Sequence, residues 1–278
     1  MSATPERSLA TATDGTEVRG YDEGRGPVVV VIGPGLDDGR RTARLAGCLT
    51  PRFRVIRLHR RQYRNDLKRA NPAPCAVAQE AGDVLAVVAA LGGPVVVYGH
   101  SSGAVVALEA LAASPSSFTG AVVFEPPSVT GTPLSGENGE ILGRARAAVA
   151  AGRPGTAMAL VFRHTVGLPS WQAWPAAALT AMIPRYRALV PCQLDDLEAI
   201  DALGVRLDAY ERIHVRTVLL GGDRSPSHLA ERLDALARVM PEAERVVMPG
   251  YDHGADLKSP KTVARVIEDL AGQPSHGA

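Results

Sequence analysis

Short, valine-rich apolar runs recur along the chain at residues 28–32, 54–58, 95–98, 121–124, 217–220 and 245–248, with little polar alternation inside them. Such runs suit strands buried on both faces of a parallel sheet. Segments with helical periodicity separate them: 40–49, 76–91, 104–113, 227–239 and 261–271. Ser259-Pro260 precedes the last of these, where Ser caps and Pro takes the first helical position. Ahead of this alternation, residues 9–13 and 16–21 flank Asp14-Gly15, a two-residue hairpin signal. Strand alternating with helix predicts an α/β fold with a mostly parallel, doubly wound sheet. Its ligand site is expected beyond the carboxyl ends of the strands.

One stretch breaks the alternation. From 126 to 212 no strand pattern appears, while helical patterns cover 140–151, 155–166, 171–189 and 194–203. Pro154, Pro169 and Pro191 punctuate them, and Pro184 should kink or split the third. The expected organisation is therefore a core of residues 1–125 and 213–278, carrying an inserted helical cap over 126–212. Met158, Phe162, Trp171, Trp174 and Met182 are candidates for the roof of a substrate pocket beneath that cap, or for its packing onto the sheet.

Charge narrows the function. Thirty Lys+Arg balance 29 Asp+Glu, so a non-specific nucleic-acid binder is not expected. Three cysteines, Cys48, Cys75 and Cys192, form neither a disulfide framework nor a zinc pattern. The first residues lack the apolar core of a signal peptide, and no apolar run reaches the length of a bilayer. These points lead to an expected soluble cytoplasmic protein acting on a small molecule, with no metal or cofactor.

The chemistry concentrates in Gly99-His100-Ser101-Ser102-Gly103, set between the 95–98 strand and the 104–113 helix. A tight strand-to-helix turn projects the central serine alone, and flanking glycines admit close backbone. The helix start offers N–H groups to a developing oxyanion. A serine needs a base to become a nucleophile at neutral pH, and histidine suits that task. Of seven histidines, His253 lies on the loop after the last strand, in Pro249-Gly250-Tyr251-Asp252-His253-Gly254. His100 adjoins the serine and points away from it. His59, His164, His214 and His228 lie on strand ends or helices, and His276 in a polar tail.

With these motifs the chain resembles the α/β-hydrolase superfamily over almost its whole length. The resemblance implies the order nucleophile, acid, histidine, with Ser101 and His253 as first and last members. For the acid it favours Asp223, in Gly221-Gly222-Asp223 after the 217–220 strand. Glu125, in Phe124-Glu125-Pro126, is the alternative, because some capped relatives place the carboxylate after the strand that follows the serine. Asp252 is too close in sequence to bond the His253 ring, and Asp256 reads as a helix-start charge.

The oxyanion hole is expected from Ser102 N–H and an amide of Gly33 or Leu36, since Pro34 has none. The usual histidine of that loop is absent. After the second parallel strand, relatives often carry Asp-x-x-Gly-x-Gly-x-Ser, whereas this chain reads His59-Arg60-Arg61-Gln62-Tyr63-Arg64. Arg60 or Arg61 is a candidate clamp for an anionic substrate group; a solvated basic face is the plainer alternative. The implied activity is cleavage of an ester, lactone or thioester through an acyl-enzyme. Acyl transfer or other chemistry on the same fold is the first rival. A nucleotide-binding domain built on Gly33-x-Gly35 is the second; Pro34 and the Asp37-Asp38 pair oppose it.

Overall fold

The computed structural model describes residues 4–70, 73–128 and 130–272. Strands β1 (Arg7–Thr11), β2 (Glu17–Gly24), β3 (Val28–Ile32), β4 (Arg54–His59), β5 (Val95–His100), β6 (Phe118–Phe124), β7 (Thr217–Gly222) and β8 (Ala243–Met248) form one sheet, in the order β1-β2-β4-β3-β5-β6-β7-β8. β1, β2 and β4 pair antiparallel, and every neighbouring pair from β4 to β8 is parallel. The hairpin expected at Asp14-Gly15 is present: Ala12 N–H bonds Thr16 O, and Gly15 takes a φ of 81°.

Helices α1 (Ala43–Leu49), α2 (Asn65–Ala70), α3 (Val77–Leu91) and α4 (Ser102–Ala113) alternate with the early strands. Alternate residues of β5 show why its valines are continuous. Val95 and Val97 enter one core with α3 and α4, while Val96 and Tyr98 enter a second core with α1. The sheet is thus covered on both faces.

Between β6 and β7 lie α5 (Glu140–Ala150), α6 (Pro154–His164), α7 (Ser170–Met182), α8 (Pro184–Leu203) and α9 (Leu207–Tyr210), with no strand among the described residues. Pro184 does split the third expected helix, opening α8 as its first residue. Pro191 does not end a helix; α8 runs through it. The chain closes with α10 (Ser227–Val239), α11 (Ala255–Lys258) and α12 (Pro260–Gly272), the last two packed against the second core. No described helix is long and apolar enough to cross a membrane.

The bulky residues of α7 are not where the pattern suggested, whereas Met158 and Phe162 of α6 take the packing role. α7 buries Ala173, Ala177 and Thr180, which leaves its bulky side chains on the opposite face. Trp171 and Trp174 are 74% and 49% exposed, and Met182 also faces solvent. Met158 is buried in the first core, and Phe162 packs half-buried against it. Alanines at helical spacing made the contact that the larger residues were expected to make.

Candidate active site

The serine turn is built as its glycines demand. A Cβ on Gly99 would lie 2.7 Å from both Ala104 Cα and Gly103 O. One on Gly103 would collide with the carbonyls of Ile32 and Gly33, at the edge of the expected oxyanion loop. Those glycines let β5, α4 and the loop after β3 meet. Ser101 sits at φ 53°, ψ −126°, with its N–H bonded to Phe124 O at 2.9 Å. Ser102 is the first residue of α4, where N–H groups lack intrahelical acceptors.

Among the described residues only three non-glycines have positive φ: Leu36 (56°), Ser101 (53°) and Glu125 (44°). Strain of this kind collects at functional sites. Here it falls on the loop after β3, on the serine, and on the residue just after β6. β5 and β6 are adjacent and parallel, with His100 in register with Phe124, so Ser101 and Glu125 emerge side by side.

His253 reaches Glu125 from the loop between β8 and α11. Its Nδ1 lies 2.6 Å from Glu125 Oε2. The other carboxylate oxygen of Glu125 accepts Gly222 N–H at 2.8 Å. Glu125 is only 1% exposed. Burial by itself would raise its carboxyl, but the His253 hydrogen bond and charge, the Ser225 hydroxyl and Gly222 N–H hold it below the ordinary range. An ionised carboxylate only accepts, so Nδ1 donates in this bond, and in the neutral ring the lone pair is then on Nε2. The His253 ring lies 4.8 Å from that of His100, the residue just before Ser101.

A family model described as the alpha/beta hydrolase family matches residues 24–266. The chain belongs to the α/β-hydrolase family. It is an enzyme of hydrolase type. No curated protein sequence matches it. An α/β hydrolase from Sphaerobacter thermophilus is 27% identical, with TM-score 0.78, covering 95% of this chain and all of that one. An esterase from Thermogutta terrifontis is 20% identical, with TM-score 0.70 and 98% coverage of both chains. The enol-lactonase of Burkholderia xenovorans is 17% identical, with TM-score 0.74, covering 97% of this chain and all of that one. The last two likenesses speak to the fold alone.

In this hydrolase Asp223 does not hold the position expected of it. Its carboxylate is exposed and accepts Gly250 N–H at 2.7 Å, tying the end of β7 to the turn that leads to His253. The carboxylate on the histidine ring is Glu125. The Gly-Gly-Asp string has a structural cause instead: a Cβ on Gly222 would collide with Tyr251 O. Asp252 bonds Gly254 N–H and Lys258. Asp256 does lie in the first turn of α11, but buried, 3.1 Å from His100 Nδ1 and 3.6 Å from Arg41. His59 is taken by Glu6, and His228 by Thr165 O. His276 lies outside the described residues.

The arginine stretch is neither a clamp nor a solvated face. All five N–H groups of Arg60 are used, on Glu80 (3.2 and 2.6 Å), Asp196 (2.8 and 3.2 Å) and Ser102 Oγ (2.7 Å). Burial opposes its charge, but the Asp196 and Glu80 carboxylates hold it firmly protonated. Arg61 pairs with Asp83 at 2.5 Å and with Asp14. Arg57, with a side chain 4% exposed, pairs with Glu23 at 2.7 Å. The partners come from distant segments, so a local reading saw unbalanced charge.

Within the loop after β3, Asp37 is 1% exposed, its Oδ1 accepting Arg41 N–H at 2.8 Å and its Oδ2 set against Gly33. Burial raises its carboxyl to about 6, against the lowering by the Arg41 hydrogen bond and charge. Between about pH 4 and 6 the native state therefore keeps a proton that the unfolded chain has released. Stability attributable to Asp37 should fall as pH rises through that window, by about 2–3 kcal/mol. Urea unfolding at pH 4 and pH 7 checks it: Asp37→Asn should gain on the wild type by that amount between the two values.

Proposed function

We propose that the protein is a serine hydrolase that cleaves carboxylic ester-type bonds of small molecules (esters, lactones or thioesters) through an acyl-enzyme on Ser101. The observation that carries this reading is the 2.6 Å bond between His253 Nδ1 and Glu125 Oε2, beside a strained serine turn. In it, His253 Nε2 takes the Ser101 hydroxyl proton as Oγ attacks the acyl carbonyl carbon. Glu125 fixes the imidazole tautomer and stabilises the imidazolium. Ser102 N–H and an amide of Gly33 or Leu36 receive the oxyanion. The tetrahedral intermediate collapses, the carbonyl re-forms, and the leaving oxygen or sulfur departs with the Nε2 proton. Water then repeats the sequence on the acyl-enzyme, Nε2 taking its proton, and frees the acid.

The helices of residues 126–212 serve as the cap over this site. Solved relatives of the same fold named as an esterase and an enol-lactonase are in keeping with ester-type substrates. A cytoplasmic setting agrees with three cysteines held as free thiols. The test is a panel of p-nitrophenyl esters, lactones and acyl thioesters, with and without an added alcohol. Acid release that is independent of the alcohol is expected. An acyl product formed on the alcohol in place of acid would make the protein a transferase, and inertness toward the whole panel would remove the ester-type assignment.

A further inference from the structure

Arg60 is spent on internal partners, and those partners span the two halves of the molecule. Glu80 belongs to α3, Ser102 opens α4, and Asp196 comes from α8 of the cap, all within hydrogen-bond reach of one guanidinium. Arg60, Glu80 and Asp196 are each less than 5% exposed. Tyr63 reinforces the join, its hydroxyl lying 2.7 Å from Asp196 Oδ2 and 3.1 Å from Gln193 Oε1. Gln62 donates from its amide to Cys192 O at 3.2 Å.

The same turn of α8 reaches the other side of the serine turn. Gln193 Oε1 lies so close to Gly35 that a Cβ there would collide with it. Gly35 sits between Gly33 and Leu36, the candidates for the second oxyanion amide. One segment of the cap thus contacts both donors' supports, Ser102 through Arg60 and the loop after β3 through Gln193. Buried charged hydrogen bonds hold geometry tightly and are costly to leave half-made.

We propose that Arg60, Asp196 and Gln193 are positioning residues of the oxyanion hole, through which α8 of the cap holds both of its backbone donors in place. The proposal rests on the serine-hydrolase reading for its effect on rate, but not for the mechanical coupling itself. A hole loosened in this way loses transition-state stabilisation while ground-state binding persists. The effect belongs in kcat rather than KM.

The experiment uses the full chain with Asp196→Asn, and Gln193→Leu as a milder second variant. Amide hydrogen exchange followed by mass spectrometry should quicken several-fold in peptides covering residues 33–37 and 99–105, far from the altered side chain in sequence. With activity normalised to serine labelled by a fluorophosphonate, kcat should fall by about 10- to 100-fold, with KM within about twofold. Arg146→Gln, which breaks pairs of α8 with α5 at Asp195 and Glu198 and touches neither Arg60 nor Gln193, should change neither readout. Exchange that quickens only within α8, or a loss carried by KM, overturns the proposal. Should Asp196→Asn not fold, Gln193→Leu decides by the same two readouts. If no serine is labelled in the wild type, the serine-nucleophile reading falls, and the exchange data still decide the coupling.

Discussion

Ser101→Ala should lower ester turnover by about 10⁴- to 10⁶-fold while leaving the fold intact. The serine hydroxyl caps no helix, and the turn is held by backbone: Ser101 N–H on Phe124 O, and Ala104 N–H on Ser101 O at 2.8 Å. Alanine tolerates the φ of 53° no worse than serine does, so the melting temperature should move by only a degree or two. His253→Ala should cost a similar factor, and the double variant little more than either alone, because groups that act as a unit are not additive. Steady-state kinetics with a p-nitrophenyl ester, alongside thermal unfolding, checks both halves. A variant that keeps more than about a tenth of wild-type turnover would remove Ser101 from the mechanism.

The second large effect separates two carboxylates. Glu125→Gln should cost about 10⁴-fold in kcat, whereas Asp223→Asn should cost no more than about threefold. The asymmetry follows from hydrogen-bond polarity. Gly222 N–H requires an acceptor on one side of residue 125, so a glutamine would place its oxygen there. Its NH₂ would then face His253 Nδ1 and force the ring proton onto Nε2, the nitrogen that must accept from serine. At position 223 the demand is only for an acceptor toward Gly250 N–H, which an asparagine oxygen supplies. The reverse ranking of the two variants would restore Asp223 as the acid.

Much of this architecture was legible along the chain. Valine runs such as Val28–Ile32 suited two-sided strands, and the absence of such runs from 126 to 212 marked the helical insertion. α2, α9 and α11 escaped notice because four to six residues are too few to show a period. The serine turn and the histidine loop were readable, because close backbone approach leaves glycines behind. The acid was not, since Glu125 and Asp223 both follow parallel strands and nothing local separates them. What separates them is the bond of Glu125 to His253 Nδ1, a contact across 128 residues. Arg60 was misread for the same reason: Glu80 and Asp196 lie 20 and 136 residues away. Trp171 and Trp174 misled because size suggested burial, while the small residues of α7 set its packing face.

The central claim is that Ser101 is an activated nucleophile served by His253 and Glu125. Intact-protein mass after brief exposure to a fluorophosphonate tests it most directly. The wild type should gain the mass of one phosphonyl group, mapped to the peptide holding Ser101. Ser101→Ala should gain none, and Glu125→Gln should label far more slowly than Asp223→Asn. A wild type that stays unlabelled, or equal labelling of the Ser101→Ala variant, would contradict the account.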